Sequence, residues 1–428
     1  MPAAPSLRLA FYGDDFTGST DALEFLTRAG LRTALFLAPP TPAQVAALDA
    51  VGVAGLTRSL APDAMAGELQ PAFAALRDLG APHVHYKVCS TFDSSPTVGS
   101  IGRAIDIGAE VFHGPFVPLL VAAPVLGRYC VFGNLFARYG IGSAGAIHRL
   151  DRHPVMSRHP VTPADESDLR LHLAKQTAKR VGLFDLLDVA QPEPEARARL
   201  ARLVAADFAI LLFDALYDEQ LRLIGALVDA HASHARPLFS VGSSGVEMAL
   251  GAHWVARGEV RPRASWPDPS PAAPLLVLSG SCSPVTAGQI AWAEAHGFTV
   301  LPLDGGTSAA ASAALAAGRH TLICTSRGET GTALRPASEI GGTLGRLANE
   351  LLAGHRVRRL VVAGGDTSSY AARALGIESL EMIAPLAPGA PLCRARAPGA
   401  AIDGLEVNFK GGQVGAEDYF GAVARGKI

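Results

Sequence analysis

The chain opens on an apolar run, Leu7 to Tyr12, that stops abruptly at Gly13-Asp14-Asp15-Phe16-Thr17-Gly18-Ser19-Thr20-Asp21. A strand ending in paired carboxylates and small hydroxyl residues, followed by the helical stretch Ala22 to Ala29, puts polar groups at a strand's carboxyl end. In open α/β sheets that is where ligands bind. Near the other end, Val361-Val362-Ala363-Gly364-Gly365-Asp366-Thr367-Ser368 repeats this grammar, with a glycine pair suited to close approach of backbone to a phosphate. Two such stretches predict two substrates.

A chain of 428 residues exceeds the length at which a single hydrophobic core keeps growing, so two or more domains are expected, with a cleft between them. The clearest break is the proline-dense stretch Arg261-Pro262-Arg263-Ala264-Ser265-Trp266-Pro267-Asp268-Pro269-Ser270-Pro271, which interrupts both helical and strand patterns. We divide the chain into domain 1–260, linker 261–273 and domain 274–428. Apolar runs at Leu7–Tyr12, Val51–Leu56, Val84–Val88, Val117–Ala123 and Phe208–Phe213 alternate with helical segments before the linker. Leu275–Leu278, Phe298–Leu303, Thr321–Cys324 and Arg359–Ala363 do so after it. This alternation predicts an α/β fold: two α/β domains with largely parallel sheets, joined by a Pro-rich linker, with the active site in the interdomain cleft.

With 37 basic and 39 acidic residues, the net charge of -2 gives no electrostatic reason to expect nucleic acid or an anionic membrane as partner. No uninterrupted apolar run approaches the roughly 18 residues of a membrane helix, and no basic-then-apolar leader opens the chain, so a cytoplasmic location is expected. Five scattered cysteines without a CxxC pair read as reduced thiols. The 49% apolar content is compatible with a homo-oligomer interface.

Polar groups recur at strand ends in the first half: Asp14 and Asp15, then Thr57-Arg58-Ser59, then Lys87 with Ser90-Thr91-Phe92-Asp93-Ser94-Ser95. Cations and hydroxyls beside carboxylates suit a polyhydroxylated acid, with Arg58 able to grip a carboxylate and aspartates able to accept from sugar hydroxyls. Each has a plainer alternative: a surface ion pair for Arg58 or Lys87, and helix capping for the aspartates. Ser157 to Pro163 forms an extended loop before the amphipathic run Leu169 to Ala178, and His159 in it is either a cleft residue or an ordinary surface histidine. The turn Val241-Gly242-Ser243-Ser244-Gly245 either exposes N–H groups to an anion or only joins strand to helix.

In the second half, Ser279-Gly280-Ser281-Cys282-Ser283-Pro284 ends a strand in small hydroxyl residues, with Pro284 placed to open a helix. Lys410-Gly411-Gly412-Gln413-Val414-Gly415 supplies another glycine turn. There is no Walker A sequence and no GxGxxG after the first strand, which argues against a nucleotide-dependent oxidoreductase. A sugar-acid-binding sensor without catalysis would have no use for these second-half loops.

Together these segments resemble the four-carbon acid sugar kinase family. The resemblance rests on Asp14-Asp15-Phe16-Thr17-Gly18, Lys87-Val88-Cys89-Ser90-Thr91-Phe92-Asp93-Ser94, His159-Pro160-Val161-Thr162-Pro163, Ser279-Gly280-Ser281-Cys282-Ser283 and Gly364-Gly365-Asp366-Thr367-Ser368, in the family's order. It implies an N-terminal domain that binds a sugar acid and a C-terminal domain that binds ATP with Mg2+. Nucleotide contacts are then expected at Ser279, Ser281, Ser283, Gly364, Gly365, Asp366, Thr367 and Gly412, and sugar-acid contacts at Arg58, Lys87, Ser90, Thr91, Asp93 and His159. Asp15, with Asp14 as the alternative, would orient or deprotonate the attacking hydroxyl. The implied substrate is a 3-oxo-tetronate or related acid, with threonate, erythronate and the branched 3-oxo-isoapionate as alternatives.

Overall fold

The computed structural model describes residues 7–139, 145–159, 161–327 and 336–427. Pro160, in the His159–Pro163 motif, lies outside them. The chain forms two compact units: Met1–Asp14, Phe25–Thr33 and Pro39–Arg263 make the first, and Asp15–Glu24, Ala34–Ala38 and Ala264–Ile428 make the second. The division passes between Asp14 and Asp15.

The first eleven strands are β1 (Leu9–Gly13), β2 (Thr33–Phe36), β3 (Ala50–Ala54), β4 (His83–Lys87), β5 (Val117–Leu120), β6 (Arg128–Val131), β7 (Asn134–Arg138), β8 (Ile147–Arg149), β9 (Val181–Phe184), β10 (Ile210–Phe213) and β11 (Leu238–Gly242). In the first unit a wholly parallel array runs β3-β1-β4-β11-β5-β10-β9. Helices cover such strands on both faces, and the apolar runs read from sequence are accordingly continuous: every residue of β1, β3, β4, β5, β10 and β11 is buried. A small antiparallel sheet, β6-β7-β8, stands beside this array in the chain's order and had no counterpart in the sequence reading.

The remaining strands are β12 (Leu275–Ser279), β13 (Thr299–Pro302), β14 (Thr321–Cys324), β15 (Arg359–Ala363), β16 (Ser379–Ala387), β17 (Ala390–Arg396) and β18 (Glu406–Lys410). In the second unit the order is β13-β14-β12-β15-β18-β17-β16-β2. The first five are parallel, whereas β16 and β17 form an antiparallel hairpin. Pro388-Gly389 makes the hairpin possible: Pro fixes the first turn position and Gly389 takes φ +76°, which glycine adopts freely. Leu275, Val277, Ile290, Leu322, Val361 and Phe420 form the core of this unit. Among the described residues no helix is long and apolar enough to cross a membrane. All five cysteines are unbridged.

Candidate active-site loops

In the first unit β1 lies between β3 and β4, with Gly13 level with both Ala54 and Lys87. Residues just past these strand ends therefore share one place. The Asp14 N–H donates to the Lys87 carbonyl at 2.9 Å, and the Arg58 N–H to the Asp14 carbonyl at 3.1 Å. Arg58 Nε and Nη2 then grip the two Asp14 carboxylate oxygens at 3.0 and 2.7 Å. Asp14 is 2% exposed, so this bidentate pair is largely desolvated. The fork read as a grip for a substrate carboxylate thus holds a carboxylate of the protein itself. Lys87 is buried beside it and donates from Nζ to the Val88 carbonyl at 3.0 Å.

The turn after β4 carries Ser90, Thr91 and Asp93. Thr91 Oγ1 lies 2.9 Å from Cys89 Sγ. Phe92 sits at φ +56°, a strained conformation for an aromatic residue, in a turn that borders a small cavity. Thr91, Asp93, Ser94, Thr162, Glu166 and His172 contribute to its lining. Asp93 Oδ1 is buried there without a hydrogen-bond partner. A buried acceptor left unpaired costs about 1–3 kcal/mol, a cost that a ligand hydroxyl would remove. His159 is half-buried and ties its own loop: Nδ1 accepts from the Thr162 N–H at 3.1 Å and pairs with Thr162 Oγ1 at 3.0 Å.

His172, which lines this cavity, and Gln176 beside it are not among the site residues expected from sequence. His172 Nε2 lies 2.9 Å from Ser94 Oγ, and Gln176 Nε2 donates to Ser94 Oγ at 3.0 Å. The signal was present as a polar pair at i, i+4 on a run read only as amphipathic. Burial holds His172 down at about 4, the nearby Lys175 ammonium adding to the effect. The unfolded ring takes a proton below about pH 6.5 while the folded ring stays neutral to about 4, so the unfolded state binds the extra proton across that window. Stability should therefore fall as the pH drops through it. In thermal melts from about pH 7.5 to 4.5, His172→Gln is expected to show a shallower decline than the parent chain; equal slopes would remove this ring as the source.

The turn Val241 to Gly245 uses its own donors. The N–H groups of Ser243, Gly245 and Val246 go to the Leu120 carbonyl, Ser243 Oγ and the Ser243 carbonyl. It is a strand-to-helix turn, as the plainer alternative has it.

In the second unit Asp15 caps the helix Phe16–Arg28: Oδ1 accepts from the Gly18 N–H at 2.7 Å and Oδ2 from Thr17 Oγ1 at 2.9 Å. Beside this helix end lies Gly365, at which a Cβ would stand 3.6 Å from Thr17 Oγ1 and 3.9 Å from Asp15 Oδ2. Strands β12, β15 and β18 are parallel neighbours, with Ser279 level with Ala363 and Ala363 level with Lys410. Their carboxyl ends bring the three glycine-bearing loops together. A Cβ on Gly280 would fall 2.3 Å from Thr367 Oγ1, and one on Gly412 would fall 2.7 Å from Ser281 Oγ. Gly364, at φ +119°, packs against Thr367 and the Ser281 N–H. Ser283 caps the helix Pro284–Ala295, accepting from the Val285 N–H at 3.2 Å, and the helix Gly365–Ala374 starts at the next loop. Two helix amino ends over loops without Cβ atoms make a site for anionic oxygens. Ser279 is fully buried and its hydroxyl has no hydrogen-bond partner, Thr367 is buried, and Asp366 is exposed.

Comparison with known proteins assigns a class to each half. Residues 9–250 match a sugar-binding N-terminal domain and residues 276–420 a nucleotide-binding C-terminal domain. A 3-oxo-isoapionate kinase of Paraburkholderia graminis is 44% identical, covering 99% of this chain and 95% of the relative. A 3-oxo-tetronate kinase of Pseudomonas fluorescens is 31% identical over 97% of this chain and 96% of its own. Among solved structures, a Salmonella typhimurium protein described as a putative tRNA synthase superposes with a TM-score of 0.78 at 26% identity, covering 97% of this chain and 98% of that one. The protein is an ATP-using phosphotransferase built from a sugar-binding and a nucleotide-binding domain. It belongs to the four-carbon acid sugar kinase family and is a sugar-acid kinase.

Proposed function

We propose that this kinase phosphorylates a hydroxyl of a 3-oxo sugar acid, with the branched 3-oxo-isoapionate as the preferred acceptor and a linear 3-oxo-tetronate as the second reading. The observation that favours the branched acid is the 44% identity to a kinase of that name, against 31–33% for several 3-oxo-tetronate kinases. The sugar acid is assigned to the first unit, with Asp93 and Thr91 offered to its hydroxyls and Lys87 and the Asp14–Arg58 pair to its carboxylate end. Ser90 and His159 shape the loops around it. Mg-ATP is assigned to the second unit, at Ser279, Ser281, Ser283, Gly364, Gly365, Asp366, Thr367 and Gly412.

Phosphoryl transfer passes through a loose transition state in which positioning and charge neutralisation supply most of the rate. A strong base is therefore not required. Asp15, or Asp14 in the alternative, fits the part of orienting the attacking hydroxyl, since an ionised carboxylate accepts hydrogen bonds and both stand just past the end of β1. Magnesium is bound through phosphates and one or two carboxylates, with several waters retained. That fits a site in which Asp366 is the exposed acid on the nucleotide loops. Bound magnesium would neutralise charge on the phosphate oxygens. We assign the reaction to the breakdown of carbohydrate acids inside the cell.

The test is ADP release with Mg-ATP against 3-oxo-isoapionate, 3-oxo-tetronates, threonate and erythronate. The expected result is the highest kcat/KM with the branched acid. A higher value with a linear acid would replace the substrate assignment, and no release with any of them would remove it.

A further inference from the structure

Lys410 is fully buried at the end of β18, immediately before the glycine loop assigned to the nucleotide. Its Nζ donates to Thr286 Oγ1 at 3.1 Å, and Thr286 Oγ1 donates in turn to the Gly412 carbonyl at 2.8 Å. The ammonium also lies 5.5 Å from the centroid of the Tyr419 ring. Its own carbonyl accepts from the Gly364 N–H at 2.9 Å, so backbone and side chain reach two different nucleotide loops. Gly412 is pressed against Ser281 and Ser283. Among the described residues no carboxylate pairs with Lys410.

The groups that face it are few. The helix Pro284–Ala295 presents Thr286, and the helix Tyr419–Arg425 presents Tyr419, whose hydroxyl donates to Asn408 Oδ1 at 2.8 Å. Glu24 acts on Tyr419 and Cys393, and its carboxylate is engaged by the Gly389 N–H at 3.0 Å. A buried cation without a counter-ion is costly, and proteins retain one where a ligand supplies the missing charge.

We propose that Lys410 is a positioning residue of the nucleotide site: acting through Thr286 and Gly412, it sets the glycine loop against Ser281 and Ser283, and the phosphates of a bound nucleotide supply its counter-charge. This rests on the assignment of nucleotide to the second unit. Burial alone brings Lys410 down to about 7. Arrival of a polyphosphate favours the charged form and moves it back toward the ordinary lysine range, so binding takes up a proton between those limits. Apparent affinity then falls as the pH rises above about 7, by up to tenfold per unit.

The experiment is calorimetric titration of ADP at about pH 8.5, above the second phosphate ionisation, in buffers of differing ionisation enthalpy. Uptake of between half a proton and one proton per ADP is expected, vanishing in Lys410→Met, with KM for ATP raised about tenfold and KM for the sugar acid unchanged. Binding of ADP without proton uptake, or uptake undiminished in Lys410→Met, would overturn the role of Lys410 alone. Absence of ADP binding to the parent chain would overturn the nucleotide assignment beneath it. A Lys410→Met chain that failed to fold would leave the buffer dependence of the parent chain as the deciding measurement.

Discussion

Asp14→Asn is expected to lower turnover by about 10²–10⁴-fold, the range associated with a positioned acid–base group, with KM for ATP nearly unchanged. The two Asp14 oxygens receive Arg58 Nε and Nη2, and an asparagine can offer only one acceptor to that fork. Its amide would face the guanidinium and turn it away, so the loss falls on the sugar-acid side. Asp15→Asn tests the other carboxylate. If capping is all that Asp15 does, the variant loses about 1 kcal/mol of stability and retains its turnover. Measured kcat for the two variants separates these roles, and wild-type turnover in both would remove the aspartates from the mechanism.

The largest loss of stability is expected from Arg359→Ala. Arg359 is fully buried on β15, and its Nε donates to Glu406 Oε2 at 2.9 Å. Nη2 donates to the same oxygen and to the Ser270 carbonyl, and Nη1 to the Val423 carbonyl. One guanidinium thus ties the end of the Pro-rich stretch and the last helix to the strands. Removing one partner of such a pair costs about 3–5 kcal/mol, because the other is left buried and charged. Set against a typical stability of about 5–15 kcal/mol, this is a large fraction. Urea denaturation of Arg359→Ala and of the double variant Arg359→Met/Glu406→Leu checks it: Glu406 keeps only Arg358, 3.5 Å from Oε1, in the single variant, so the double variant should recover much of the loss, and equal losses would mean that the buried acid is not the cause.

What could be read in the sequence follows from burial. Strands buried on both faces are mostly apolar runs, so Leu9–Gly13, Leu275–Ser279 and residues 360–363 declare themselves, whereas His83–Lys87 carries two histidines and a lysine. The glycine loops do so too, because backbone approach leaves no substitute for glycine. The half-exposed strands β6 and β7 alternate only weakly, and the β16–β17 hairpin depends on a turn rather than on periodicity. Side-chain pairing was beyond reach for a different reason. Arg58 and Asp14 are 44 residues apart, and whether an arginine meets a ligand or its own protein depends on strand order, which the linear pattern does not contain. Lys410 is the same case, since no residue near it in sequence reveals that its counter-ion is missing.

The composition of the second unit bears on how the chain can be made. Residues 15–24 and 34–38 belong to it, yet they are synthesised before the whole of the first unit's later strands. Thr20 waits for Gly389, which follows it by 369 residues, and Phe16 waits for the Phe409 ring that packs against it 4.7 Å away, centroid to centroid. A fragment begun at the Pro-rich stretch would lack these pieces, leaving Phe409 without its partner ring and β16 an open edge where β2 pairs. On the ribosome residues 15–24 and 34–38 are held in reserve, and the second unit closes only when the last strands emerge.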